Sequence, residues 1–162
     1  MNEAPYQKTT IVFPTNGDEI LLGLKKRGFG AGWWNGFGGK LEGHESYEES
    51  AKRETKEEAG IAIDKLIHIA DLAFYFGDEL GVVSRAYLAD YSGEPQETDE
   101  MRPQLFQKNN LPYENMWPAD GIWLPEALSL DNIPRGFVVK FANDKSFRLI
   151  VRSAIETMQN LF

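Results

Sequence analysis

The chain has no cysteine. This removes a disulfide framework and any thiolate-based metal site or nucleophile. Cations are also in short supply: 17 Lys and Arg stand against 25 Asp and Glu, for a formal charge of −8. A protein that follows a nucleic-acid backbone needs many such contacts, so a polymeric nucleic-acid partner is not expected. A small anionic substrate stays admissible, provided a metal and a few local cations offset the repulsion. No apolar run approaches the roughly 18 residues needed to cross a bilayer, and no charged-then-apolar leader is visible. Repeats, low-complexity tracts and a clear linker are missing too. These features lead us to expect a cytoplasmic protein with no membrane partner. At 162 residues the chain is read as one domain, 1–162, acting as a monomer, with enough length for one sizeable core.

What the sequence does hold is concentrated in Gly36–Ile61, GFGGKLEGHESYEESAKRETKEEAGI. Its first part is glycine-rich, and glycine lets a backbone approach a ligand closely. From Ser46 to Ala59 there is no Gly or Pro, and Glu, Lys, Arg and Ala dominate, which predicts a helix. Ser46 with Glu49 fits a capping box, and Gly60 fits the stop. On this helix Glu54, Glu57 and Glu58 share one face. Like charges at that spacing repel, whereas clustered carboxylate oxygens suit a hard divalent cation. A solvated acidic face would show the same spacing.

The rest of the chain reads mainly as strands. Lys8–Phe13 and Glu19–Leu24 flank a turn over Pro14–Asp18 centred on Asn16-Gly17. Lys25-Lys26-Arg27, next to further glycines, suggests phosphate contact or a solvated basic turn. Trp33-Trp34-Asn35 suits either a ring-binding wall or core aromatics. Strands are expected over Leu66–Phe76, Val82–Tyr91, Leu105–Phe106, Phe137–Phe141 and Phe147–Val151. Short helical turns are expected over Ile122–Leu128, and a final amphipathic helix over Ser153–Phe162. Glu100, before Met101-Arg102-Pro103, reads as a surface acid or a distant metal ligand. Pro112–Asp120 reads as a pocket wall or a packed loop.

The Gly36–Ile61 stretch resembles the signature box of the Nudix hydrolase family. Gly39, Glu45, Arg53, Glu54, Glu57, Glu58, Gly60 and Ile61 fall on its fixed positions. Two positions depart: Thr55 stands where an aliphatic residue is usual, and His44 where the family has Gly, with Gly43 one earlier. Outside the box, LLGLKKRGFGAGWWNGFGGK, DEMRP and MWPAD resemble the animal branch of the family that acts on oxidised purine nucleoside triphosphates. The likeness runs from about Thr9 to about Leu128.

The resemblance implies an α/β (α+β) Nudix fold, a mixed β-sheet sandwiched between helices. It implies Mg²⁺-dependent hydrolysis (Mn²⁺ being the other admissible ion) of substrates such as 8-oxo-dGTP or 2-hydroxy-dATP. The products would be a nucleoside monophosphate and pyrophosphate, and the role sanitation of the nucleotide pool. The metal would be held by Glu54, Glu57, Glu58, Glu100 and the Gly38 carbonyl. Arg53 and Glu45 would brace the glycine loop on the helix. Thr10, Lys25, Asn35, Phe37, Gly38, Gly39 and Lys40 match substrate-contacting positions. Phe29, Phe74 and Phe76 would wall the base pocket, Trp117 would stack on the ring, and Asp120 would read its edge. Where that branch has two adjacent acids after Trp-Pro, this chain has Ala119 and then Asp120, so the base preference stays open. The alternatives are hydrolysis of a nucleotide sugar or dinucleotide, and a non-catalytic nucleotide-binding module.

Overall fold

The computed structural model describes residues 5–129, 134–144 and 146–162. Among them, eight strands form one mixed sheet: β1 (Gln7–Asn16), β2 (Glu19–Lys25), β3 (Trp34–Asn35), β4 (Ala62–Phe76), β5 (Glu79–Ser92), β6 (Met101–Gln107), β7 (Arg135–Phe141) and β8 (Phe147–Ser153). Neighbours run β3-β2-β1-β5-β4-β7-β8, with β6 on β2. The β1/β5 and β4/β7 pairs are parallel and the others antiparallel. The helices are α1 (Tyr47–Ala59), α2 (Asp120–Ala127) and α3 (Ile155–Met158).

A sheet covered on both faces needs apolar side chains at successive positions, because alternate residues point opposite ways. Val12 and Leu21 pack with Ala51 and Ala59 of α1, while Phe13, Ile20 and Leu22 pack with Trp123 and Leu124 of α2. Those apolar runs in β1 and β2 are therefore two half-cores written alternately on each strand. The expected sandwich of sheet and helices is present.

Several strands extend beyond their sequence-based bounds. Pro14 was expected in a turn, yet it lies within β1, and the tight turn closes later, with Asn16 paired to Glu19 and Gly17 at φ 61°. A proline is tolerated there for a local reason. The amides of Thr10 and Val12 donate to the 37–39 loop, at 2.9 and 2.6 Å. Pro14 is the next residue on that edge, beyond the end of the loop pairing, where no partner for its missing N–H is required. The C-terminal stretch was expected to be one helix from Ser153. Ser153 instead ends β8, and α3 is followed by a short 3₁₀ turn, Gln159–Leu161.

Helix α1 begins as the sequence indicates. The Ser46 hydroxyl accepts from the Glu49 amide at 3.2 Å, and the Glu49 carboxylate accepts from the Ser46 amide at 2.8 Å. Such a cap stabilises a helix by about 1 kcal/mol. Gly60 ends it at φ 72°, a left-handed conformation that costs glycine little, and donates to the Lys56 carbonyl. Thr55, polar where an aliphatic side chain is usual, is fully buried and satisfies its hydroxyl on the Ala51 carbonyl at 2.8 Å. That bond is what allows Thr at a core-facing position.

Candidate active site

The glycine loop between β3 and α1 lies along β1. Besides the two donations from β1, the Phe37 amide returns a bond to the Val12 carbonyl at 2.8 Å, and the Leu41 amide one to Lys8 at 3.0 Å. This pairing requires side chains to be missing. A Cβ on Gly38 would fall 2.0 Å from the Thr10 carbonyl oxygen, and one on Gly39 would fall 2.5 Å from a Glu54 carboxylate oxygen. The glycines thus let the loop back press on the strand and on the acids of α1 together.

Arg53 fastens the loop to the helix. It grips Glu45 with two nitrogens, at 2.6 and 3.0 Å, and reaches the Lys40 carbonyl at 3.1 Å. A third nitrogen meets Glu54 at 2.8 Å and Glu57 at 3.3 Å. The forked guanidinium fits a carboxylate with paired bonds, which a lysine could not make. Its hydrogen bonds hold the Glu45 carboxyl down at about 2. The displaced glycine causes no disturbance: Gly43 takes φ 53°, Glu45 donates its amide to the Glu42 carbonyl at 3.0 Å, and His44 sits within that turn.

The acids of α1 differ in their surroundings. Glu58 is 3% exposed and accepts from the Gly38 amide at 3.0 Å. Burial pushes its carboxyl up to about 8, opposed by the Gly38 bond and Lys25, and reinforced by Glu54 and Glu100. Glu54 is also raised, by burial first, against its Arg53 bond, with Glu57 and Glu100 adding repulsion. Glu57 is largely exposed. Four carboxylates therefore influence one another across the loop. Among the described residues, however, no three acidic or imidazole side chains converge tightly enough to hold a cation as they stand. Glu57 leans on Arg53, and Glu100 is drawn to Arg27 at 3.1 Å. The donor set still fits a hard divalent ion in its chemistry: oxygens only, like-charged, with two carboxyls raised chiefly by burial and further by their neighbours' charge.

Beside these acids opens a cleft of about 320 Å³. Its lining includes Lys25, Gly38, Gly39 and Glu58, and also Asn35, Phe74, Trp117 and Asp120. Thr10, Phe29 and Phe76 line it as well, as does Ala119. Phe29 and Trp33 both pack on Trp117 with tilted rings, centroids 4.9 and 5.2 Å away. Asp120 is 8% exposed and accepts from the Trp123 indole at 2.9 Å; burial pushes its carboxyl up to about 7, against that bond.

Not every anticipated residue reaches the cleft. Phe37 is fully buried under α1, in the core with Val12 and Leu21, so its side chain anchors the loop from behind. Lys40 does not line the cleft, and its carbonyl serves Arg53. Of the basic run only Lys25 faces inward. Lys26 pairs with Glu97 at 2.8 Å and Arg27 with Glu100, so phosphate contact by all three is not what the fold arranges. Conversely, Ile11, Leu72, Ser84, Met101, Trp123 and Phe141 line the cleft although the sequence did not mark them as site residues. They are ordinary strand and helix residues until the sheet brings them together.

The sequence matches the NUDIX domain over residues 5–127. The chain belongs to the Nudix family. It is 46% identical over 118 residues to a zebrafish (Danio rerio) oxidized purine nucleoside triphosphate hydrolase, covering 72% of this chain and 76% of that one. The mouse (Mus musculus) protein of the same name is 44% identical over the same shares. Among solved structures, the MutT protein of Bacillus halodurans superposes with a TM-score of 0.76 at 23% identity, covering 91% of this chain and 97% of that one, which speaks to the fold alone. As a Nudix hydrolase the chain falls in a family that generally works with a divalent metal. No helix among the described residues is long and apolar enough to cross a membrane.

Proposed function

We propose that this Nudix hydrolase cleaves oxidised purine nucleoside triphosphates, such as 8-oxo-dGTP or 2-hydroxy-dATP, to the monophosphate and pyrophosphate. The observation that carries the reading is the make-up of one continuous cleft. Its lining combines a cationic side chain, glycine backbone and a buried carboxylate with packed aromatics and a second buried acid. A nucleotide combines the matching groups, a charged phosphate chain and a flat polar ring. The names of the zebrafish and mouse relatives support the same substrate class.

In this reading Glu54, Glu57, Glu58 and Glu100, with the Gly38 carbonyl, would hold Mg²⁺. Once held there, the ion would supply positive charge against that growing on the phosphates and polarise a water for attack. The protein's own part is mostly placement. Lys25 supplies a positive charge within the cleft, where it already opposes the negative charge of Glu58. Glu57 or Glu58, or else Glu100, takes the proton from the attacking water; Glu58 is the one of the three that lines the cleft. Arg53 does not enter the cleft lining and acts by keeping the loop and Glu54 in register. For the base, Trp117 offers its face to the ring, while Asp120 and Asn35 meet its polar edge.

A turnover panel tests this. 8-oxo-dGTP, 2-hydroxy-dATP, dGTP, a nucleotide sugar and a dinucleotide are each incubated with Mg²⁺ or with chelator, and pyrophosphate and phosphate are measured. Preference for an oxidised purine triphosphate, with pyrophosphate release lost in chelator, is the expected result. Preference for either of the last two substrates, or binding without turnover, would overturn it.

A further inference from the structure

The inward face of β5 carries Val82, Ser84, Ala86 and Leu88, following the two-residue alternation of a strand. Ala86 and Leu88 belong to the core under α2, and Val82 and Ser84 line the cleft. Ser84 is the one polar residue of the four, and it is 7% exposed. In the sheet it stands between Thr9 of β1 and Leu72 of β4, which line the same cleft. The neighbouring hydroxyls are used differently. That of Thr9 donates to the Val83 carbonyl at 3.1 Å, and that of Thr10 is buried with no partner. The Ser84 hydroxyl takes no hydrogen bond from or to another described residue. Unlike the Thr10 hydroxyl, that of Ser84 is not sealed off from the cleft, so its unused donor and acceptor are open to whatever fills it. Its neighbours Leu72 and Val82 are apolar, and the Thr9 hydroxyl beside it is spent on the Val83 carbonyl.

Resting on the function proposed above, we infer that Ser84 is a specificity-determining residue whose hydroxyl hydrogen-bonds the polar edge of the bound purine. A hydroxyl both donates and accepts, so it can meet the N–H or the oxygen that oxidation adds to a purine. In an apolar wall such a bond discriminates strongly, because a base lacking the matching group leaves the hydroxyl unpaired. Asp120 and Ser84 then read the base from two separate elements, one on α2 and one on β5.

The test compares wild type with Ser84→Ala, Ser84→Val and Ser84→Thr. It measures kcat and KM for 8-oxo-dGTP, 2-hydroxy-dATP and dGTP, and the Kd of the matching monophosphates by calorimetry without metal. Thermal melts check the fold. For the oxidised substrate that wild type prefers, Ser84→Ala raises KM and the monophosphate Kd by about three- to tenfold, the loss of one hydrogen bond. The kcat stays within about twofold, since no group at the phosphates has changed. Ser84→Thr, which keeps the hydroxyl, recovers most of the loss, and the melting point of Ser84→Ala does not fall. Equal factors for all three substrates, or no change in any, overturns the inference while leaving the activity in place. A wild type that turns over none of them overturns the functional reading and this inference with it.

Discussion

Asp120 is an acid held in a place that disfavours its charge. Burial lifts its carboxyl from 3.8 to about 7, although the Trp123 indole donates to it. The sign of the consequence is fixed. The folded state holds the proton more tightly than the unfolded one, so its contribution to stability is whole below 3.8 and is lost as pH rises toward 7. Asp120→Asn keeps an oxygen for the indole and never ionises. Thermal melts across that range are therefore expected to fall with pH in wild type and to slope less in the variant, by an amount on the order of 1–3 kcal/mol at neutral pH. An equal slope in both proteins would mean that Asp120 does not titrate in this way. The acids of α1 yield a second prediction. Glu57→Gln and Glu58→Gln each keep an oxygen and the fold but lose a charge, and kcat should drop by a factor of about 10² or more in each. A loss below about tenfold in both would contradict their assigned roles. The acids of α1 were readable beforehand because they fall on the fixed positions of the Nudix box; their spacing alone also fits a solvated acidic face. Ser84, Met101 and Phe141 were not, because nothing about a serine or methionine in a strand marks it until another strand is laid beside it.

At the level of elements, the glycine loop and α1 behave as one part, riveted by Arg53. Gly38→Ala puts a carbon 2.0 Å from a β1 carbonyl oxygen, and backbone cannot swing aside as a side chain can. The loop must then lift from β1. A loss above about 2 kcal/mol in chemical denaturation, together with near-complete loss of turnover, is expected. Gly39→Ala meets a Glu54 side chain instead, so its loss of stability should be the smaller while activity still falls. If Gly38→Ala melts like wild type, the loop does not depend on that close approach. Most of this part was legible: the cap at Ser46, the stop at Gly60 and the acidic face of α1 are local matters of backbone and spacing. What escaped was the job of each member. Phe37 sits in a run that looks ligand-facing, yet β1 turns its ring into the core. Lys26 and Arg27 look free to bind phosphate, but the chain segment 97–100, far away in sequence, supplies their partners.

The whole molecule has two half-cores, one on each side of the sheet, and the cleft draws on both. Glu58 comes from α1 on one side, Asp120 and Trp117 from α2 and the loop before it on the other. A nucleotide that bridges them should raise the stability of the entire fold. At Mg²⁺ and a non-hydrolysable triphosphate near 100 times Kd, the gain is about 2.7 kcal/mol, or a rise in Tm of roughly 5–10 °C for a domain of this size. Chelator should cancel most of it. A melt that ignores both ligands would argue against a cleft of this composition. Ala119→Asp belongs at this scale too, since Ala119 is buried in the cleft wall within the core cluster that joins Leu72 of β4, Ala86 of β5 and Trp123 of α2. The substitution should reorder the preference among 8-oxo-dGTP, 2-hydroxy-dATP and dGTP, and an unchanged ranking would remove Ala119 from the part of the cleft that reads the base.

By itself the sequence determined everything that depends on neighbours along the chain. It set the extent and caps of α1, the shared face of its three acids, the glycine loop ahead of it and the family to which that stretch belongs. The sandwich of sheet and helices followed from the family resemblance, and the successive apolar residues of β1 and β2 agree with it, because a sheet covered on both faces needs them. Tertiary structure alone decided which residues share the cleft, since its lining comes from β1 to β7, the glycine loop, α1, α2 and the segment before α2, and strand order leaves no mark on composition. It likewise decided which charges are free to act. An ion pair or a buried carboxyl is a fact about distance and solvent, and both are settled only when remote segments meet.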